Sequence, residues 1–203
     1  MKFPCTGVIL AGGLNTRFSG INKAFVRVGG KRILDYVYDL CNDLFEEIIL
    51  VTNDPLQYLE WDAVVTTDLF PIRSSLTGIH AGLFCATTPY AFFTACDSPF
   101  LTKEVAETII DQIEPRFDVF IPKTSAGLEP LCAVYSKQCL KPVEQQLIQK
   151  KLKIHGFFEN VRVKKIPEKI FLEKDPDLIS FFNINTPEDL NRAEEIIHPI
   201  QRM

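Results

Sequence analysis

The chain has 203 residues, 46% of them hydrophobic and 24% charged, a balance that predicts one globular domain over residues 1–203 with a core needing no disulfide or metal staple. A formal net charge of −4 argues against a general nucleic-acid binder or a membrane-surface protein, so basic residues that matter must act locally. No internal repeat occurs, and no apolar run approaches the roughly 20 residues needed to span a bilayer.

In chain order, Val8-Ile9-Leu10 predicts a short buried strand that breaks into a glycine-rich loop, Ala11-Gly-Gly-Leu-Asn-Thr-Arg-Phe-Ser-Gly-Ile-Asn-Lys23. A strand follows at Ala24–Val28 and a turn at Gly29–Arg32. Leu34, Val37, Cys41 and Leu44 then recur at helical spacing through Ile33–Phe45. Glu47–Asn53 reads as a near-continuous apolar strand of the kind covered on both faces, closed by the turn residues Asn53-Asp54-Pro55. The cadence repeats as strand Ala63–Thr67, loop Leu69–Thr77, helix Gly78–Thr87, strand Ala91–Cys96, helix Thr102–Ile113 and strand Asp118–Ile121. Beyond it the expected elements are strand Pro130–Tyr135, helix Gln138–Lys150, strand Val161–Ile166 and strand Phe181–Asn185. Thr186-Pro-Glu-Asp189 then starts a helix running to about Ile197, with a capping threonine, a first-turn proline and two acids.

Strands alternating with helices predict an α/β fold, a mainly parallel sheet with helices on both faces, in which ligands bind at the carboxyl ends of the strands. Asn53, Asp68, Asp97 and the glycine loop all fall at such ends. The loop has what an anion cradle needs: glycines let main-chain N–H groups approach a phosphate, and Arg17 and Lys23 can neutralise it. A tight turn carrying surface charges fits the glycines alone equally well. Asp97, between an apolar strand and Ser98-Pro99, suits a hard divalent cation such as Mg²⁺, which takes one or two carboxylates plus phosphate oxygens. It also suits an ordinary turn.

The common alternatives do not match. The chain contains no G-x-x-x-x-G-K-[ST], G-x-G-x-x-G or G-x-S-x-G, and His80, His155 and His198 pair with no nucleophile in the pattern of a triad. His80 reads as a packing or surface residue, and the lysines at 150, 151, 153, 164 and 165 as a solvated face. The cysteines, Cys5, Cys41, Cys85, Cys96, Cys132 and Cys139, form no C-x-x-C pair and read as reduced core residues. Met1–Thr6 lead directly into the first strand, so a cytoplasmic enzyme is expected.

Taken together, Leu10-Ala-Gly-Gly13, Arg17-Phe-Ser-Gly20 and Asn22-Lys23-Ala24 closely resemble the nucleotide-binding signature of the MobA-type molybdenum cofactor guanylyltransferases. The likeness continues through Asn53-Asp54, Asp68, Leu76-Thr-Gly78, Cys96-Asp-Ser-Pro99, Glu129-Pro-Leu-Cys-Ala-Val-Tyr135 and Asn183-Ile-Asn-Thr-Pro-Glu-Asp-Leu190. The resemblance implies a Rossmann-like, three-layer nucleotidyltransferase fold. It implies transfer of GMP from GTP to the terminal phosphate of the molybdopterin cofactor, with Mg²⁺ as cofactor. By motif matching, Leu10, Ala11, Gly12 and Gly13 surround the guanosine and phosphates, and Lys23 and Arg17 neutralise the triphosphate. Asp68 and Asn53 lie at the nucleotide, Asp97 holds Mg²⁺, and Asn183 and Asn185 lie toward the pterin. Other cofactor-biosynthesis proteins or molybdoenzymes are the implied protein partners. One departure stands out: the family commonly reads Gly-Pro-Leu-x-Gly where this chain has Ser74-Ser75-Leu76-Thr77-Gly78. Gly12-Gly13 and Asn183-Ile-Asn185 favour GTP over the related CTP-dependent enzymes, while a sugar-phosphate nucleotidyltransferase and a non-catalytic nucleotide-binding adaptor remain the other readings.

Overall fold

A computed structural model describes residues 2–12 and 22–200. In chain order these form β1 (Thr6–Leu10), the ribbon β2 (Arg27–Val28) and β3 (Lys31–Arg32), α1 (Ile33–Leu44), β4 (Ile48–Val51), β5 (Val64–Thr66), α2 (Ser75–Cys85) and β6 (Tyr90–Ala95). They continue with α3 (Lys103–Ile110), β7 (Val119–Thr124), β8 (Gly127–Leu128), β9 (Cys132–Ser136), α4 (Leu140–Ile148), β10 (Val163–Pro167) and α5 (Pro187–Ile200).

The main sheet has the order β10-β7-β9-β6-β1-β4-β5, with β8 folded back on β7. β5, β4, β1 and β6 run parallel, as do β10 and β7, while β9 is antiparallel to both of its neighbours. The expected mainly parallel mixed sheet is therefore what the chain builds. Its inner strands lack a polar face because successive side chains enter two different cores. Ile9, Leu50, Phe92 and Phe120 pack with Leu34, Val37 and Cys41 of α1 and with Val105 and Ile109 of α3. Their neighbours Val8, Ile49, Phe93 and Ile121 pack with Ile79 and Leu83 of α2 and with Val143 and Leu147 of α4. Helices on both faces give the three layers.

Two predicted strands fold otherwise. Ala24–Val28 is a 3-10 turn at Lys23–Phe25 followed by the short β2, because the Asn22 side chain accepts the Ala24 N–H at 3.1 Å and curls the chain locally. Phe181–Asn185 is no strand either: a 3-10 turn at Ile179–Phe181 takes its first residue, capped by the Asp175 carboxylate, which accepts the N–H groups of Ile179 and Ser180 at 2.9 and 2.8 Å. The segment beyond docks past the end of β6 through the Ile184 N–H, which donates to the Asp97 carbonyl at 2.9 Å. The turn expected at Gly29–Arg32 gives its last two residues to β3, and β8 was not expected; the other predicted elements differ in their boundaries, the helix from Gln138, for example, being preceded by a 3-10 turn at Lys137–Cys139.

α5 starts as its sequence dictates. Thr186 Oγ1 accepts the Asp189 N–H at 3.1 Å, and the Asp189 carboxylate accepts those of Asn185 and Thr186, each at 2.9 Å. Val28, Ile33, Ile184, Ala193 and Ile197 form a small third core that clamps α5 against the β2–β3 ribbon. Ile184 and Asn185 are thereby brought back to Lys23. No helix among the described residues is long and apolar enough to cross a membrane.

Candidate active site

The carboxyl ends of β1, β4, β5 and β6 open on a cleft of about 300 Å³. Parallel strands end together, which brings Leu10, Ala11, Gly12, Lys23, Asp68 and Asp97 to its walls. The register is continued past the strand ends: Ala11 N–H donates to the Val51 carbonyl at 2.8 Å and Cys96 N–H to the Leu10 carbonyl at 3.0 Å. Gly12 sits where a side chain would crowd the site, since a Cβ there would come within 3.2 Å of Asn53 Nδ2.

Lys23 is the hub of the cleft. Its ammonium donates to Asp97 Oδ2 at 2.6 Å, to Asn185 Oδ1 at 3.1 Å and to the Ile184 carbonyl at 3.2 Å. The Lys23 and Asp97 side chains are only 15% and 17% exposed, so the pair is largely withdrawn from water and its attraction is weakly screened. Asn183 stands one step away, its Oδ1 accepting the Ser98 hydroxyl at 2.6 Å. The two asparagines thus reach the Asp97-Ser98 corner from a segment some 85 residues distant in the chain.

On the opposite wall Asn53 Nδ2 donates to Asp68 Oδ2 at 3.0 Å. Burial raises the Asp68 pKa above the usual aspartate value, and the Asn53 amide and the charge of Arg73 only partly offset it. Ser74 and Ser75, the departure from Gly-Pro, line the cleft as well. Ser74 caps α2, its hydroxyl accepting the Thr77 N–H at 3.1 Å, so this sequence replaces a stiff Gly-Pro corner with a capped helix start. The Cys96 thiol is pushed up to about 12 by burial and by Asp97, which leaves it unreactive as a nucleophile.

Gly13 and Arg17 lie outside the described residues. Of the other candidate site residues, Leu10, Ala11, Gly12, Lys23, Asp68 and Asp97 line the cleft, Asn53 and Asn185 bond Asp68 and Lys23, and Asn183 stands behind Asp97, bonded to Ser98. Participants that the sequence did not mark include Arg73 and Leu131, which line the cleft, and Tyr58, whose hydroxyl bonds Ala11 and Asn22. Arg73 was detectable as the only basic residue in the loop before α2; Tyr58 carried no comparable signal.

Residues 7–162 match the model of the MobA-like NTP transferase domain. The chain belongs to the MobA-like NTP transferase family. It is 49% identical over 192 residues, 95% of each chain, to a protein of Desulfosudis oleivorans named molybdenum cofactor guanylyltransferase. A probable molybdenum cofactor guanylyltransferase of Natranaerobius thermophilus is 36% identical, with 95% of this chain and 96% of that one covered. Among solved structures, molybdopterin-guanine dinucleotide biosynthesis protein A from Archaeoglobus fulgidus superposes with a TM-score of 0.84 at 32% identity, covering 98% of this chain and all of the other. The matched stretch ends before Asn183 and Asn185, yet the fold returns Asn185 to Lys23 in the cleft and Asn183 to Ser98 beside Asp97.

Proposed function

We propose that this chain transfers GMP from GTP to the terminal phosphate of the molybdenum-bearing molybdopterin cofactor and releases pyrophosphate. The observation that carries this reading is the Lys23 ammonium held in one cleft between Asp97 and Asn185, which supplies a phosphate-neutralising cation at the junction of nucleotide and acceptor sides. The names of the relatives support the choice of substrates.

In the transfer an oxygen of the acceptor phosphate bonds to the α-phosphorus of GTP. The bond from that phosphorus to the bridging oxygen breaks, and its electron pair leaves on pyrophosphate. The attacking oxygen is already anionic, so the protein has to position and neutralise rather than supply a base. Leu10, Ala11, Gly12 and Gly13 surround the guanosine and phosphates, with Asn53 orienting Asp68 against the nucleotide. Lys23 and Arg17 balance the charge that develops on the leaving group. Asn183 and Asn185 face the pterin side.

The donors present fit Mg²⁺. Among the described residues no cluster of three or more His, Cys, Asp or Glu could hold a metal, and Asp97 offers a carboxylate of which Lys23 engages one oxygen, Oδ2. A single carboxylate is what Mg²⁺ uses when phosphates and water complete its shell. Bound by Asp97, it would supply charge neutralisation across the phosphate oxygens. The reading extends to a cytoplasmic protein that hands its product to a molybdoenzyme or another cofactor-biosynthesis protein.

The test is a titration of GTP and CTP with Mg²⁺, followed by pyrophosphate release with molybdopterin as acceptor. Tighter binding of GTP and acceptor-dependent release are expected. Preference for CTP would refute the guanylyl assignment, and tight GTP binding without turnover would point to an adaptor.

A further inference from the structure

A residue outside the cleft pins one of its walls. Tyr58, in the 3-10 turn after β4, is fully buried, its ring centroid 5.2 Å from that of Phe25 and 5.8 Å from that of Trp61. Its hydroxyl donates to the Ala11 carbonyl at 3.2 Å and accepts from Asn22 Nδ2 at 2.9 Å. Ala11 and Asn22 both line the cleft, and each adjoins a residue of the phosphate-binding set: Gly12 follows one and Lys23 the other. Asn22 is used twice, because its Oδ1 caps the turn that begins at Lys23 by accepting the Ala24 N–H.

A continuous chain of hydrogen bonds therefore runs from the Ala11 main chain through the Tyr58 phenol and the Asn22 amide to the turn carrying Lys23. Packing needs only the ring, which phenylalanine would reproduce. The hydroxyl is what joins two stretches of the cleft wall, and in a buried setting its loss leaves a donor and an acceptor unmatched. We propose that Tyr58 is a positioning residue of the nucleotide site, fixing the spacing between the Gly12 main chain and the Lys23 ammonium so that one triphosphate meets both. This rests on the nucleotidyl-transfer reading above, and on this chain's own hydrogen bonds for the residue.

The test is Tyr58→Phe, with GTP binding in Mg²⁺ followed by calorimetry and turnover by pyrophosphate release with molybdopterin. The dissociation constant and KM should rise roughly 5- to 20-fold while kcat moves by less than about threefold, the pattern of lost ground-state positioning. Asn22→Ser keeps a capping oxygen but is too short to reach the phenol, and should weaken GTP binding to a similar extent. Because both changes cut one chain of bonds, the double variant should bind little worse than the weaker single variant. Unchanged GTP affinity in Tyr58→Phe beside a lowered melting temperature, or losses that multiply in the double variant, would overturn the proposal. If Tyr58→Phe does not fold, wild-type affinity in Asn22→Ser overturns it alone. A wild type that binds CTP in place of GTP refutes the guanylyl assignment but leaves the same comparison to be made with CTP. Binding of neither would overturn both.

Discussion

Replacing Lys23 with alanine separates its catalytic worth from its structural worth. Among the described residues the ammonium donates to Asp97, Asn185 and the Ile184 carbonyl, and these partners lose it at once. Removing one member of a fully buried ion pair costs about 3–5 kcal/mol, but here both side chains keep some exposure, so about 1–2 kcal/mol of folding stability is expected to go. A domain stable by about 5–15 kcal/mol stays folded under that loss. Turnover should fall much further, by about 10²- to 10³-fold, the effect of deleting one preorganised electrostatic donor worth about 2.7–4 kcal/mol. The assay is pyrophosphate release at saturating GTP, Mg²⁺ and acceptor, alongside urea unfolding of Lys23→Ala, Asp97→Ala and the double variant. In unfolding the double variant should be less destabilised than the sum of the singles, because each single leaves a charge without its partner. Near-wild-type turnover in Lys23→Ala would refute the assigned role, and additive unfolding energies would refute the coupling inferred from the 2.6 Å pair.

Three further outcomes are expected. Burial raises the folded-state pKa of Asp68, so its favourable contribution is present below the unfolded value of about 3.9 and is lost as pH rises through the folded value; Asp68→Asn should therefore gain stability on wild type between about pH 4 and 7 while losing GTP affinity, and a pH-independent difference in urea unfolding would refute this. Asp118 behaves in the opposite sense, since the Arg162 side chain, bonded to both carboxylate oxygens at 2.9 Å, lowers its pKa; Asp118→Asn should cost stability at pH 7 and converge on wild type as pH falls through the lowered folded value, as thermal melts across acid pH can check. In α2, a Cβ on Gly82 would sit 2.6 Å from Val8 Cγ1 and 2.8 Å from Phe93 Cε1, so Gly82→Ala should lose about 1–2 kcal/mol by overpacking despite a helix-propensity gain of about 1 kcal/mol; a more stable variant in urea unfolding would show that the interface yields.

The α/β alternation was legible because its signal is local. Leu34, Val37, Cys41 and Leu44 mark the buried stripe of α1 at the spacing read from the sequence, and Ile48–Val51 marks a strand with both faces covered. The two misread strands fail for a local reason as well. Both are apolar enough for a strand, yet local acceptors take main-chain donors in each: the Asn22 side chain binds the Ala24 N–H in one, and in the other the carbonyls of Leu178 and Ile179 take the N–H groups of Phe181 and Phe182 while the Asp189 carboxylate takes that of Asn185. Apolar content reports that a segment is buried and does not report which partner takes its N–H groups.

For the site the division is sharper. Gly12, Asn53, Asp68 and Asp97 could be read because each lies just past the end of a strand, and a parallel sheet brings such ends together whatever lies between them. Lys23 and Asn185 share no such rule, being 162 positions apart; their meeting depends on the third core, where Ile184 and α5 close over the β2–β3 ribbon. Tyr58 was hidden for yet another reason. A buried tyrosine usually serves a core, and its ring does so here against Phe25 and Trp61, so only the two bonds of its hydroxyl distinguish it from phenylalanine. The residues that bear charge into the cleft were therefore visible in the chain, whereas those that set the distances between them emerge only when the chain is folded. Substrate spacing is controlled by the second kind, so substitutions such as Tyr58→Phe should alter affinity for the triphosphate without touching a single group that contacts it.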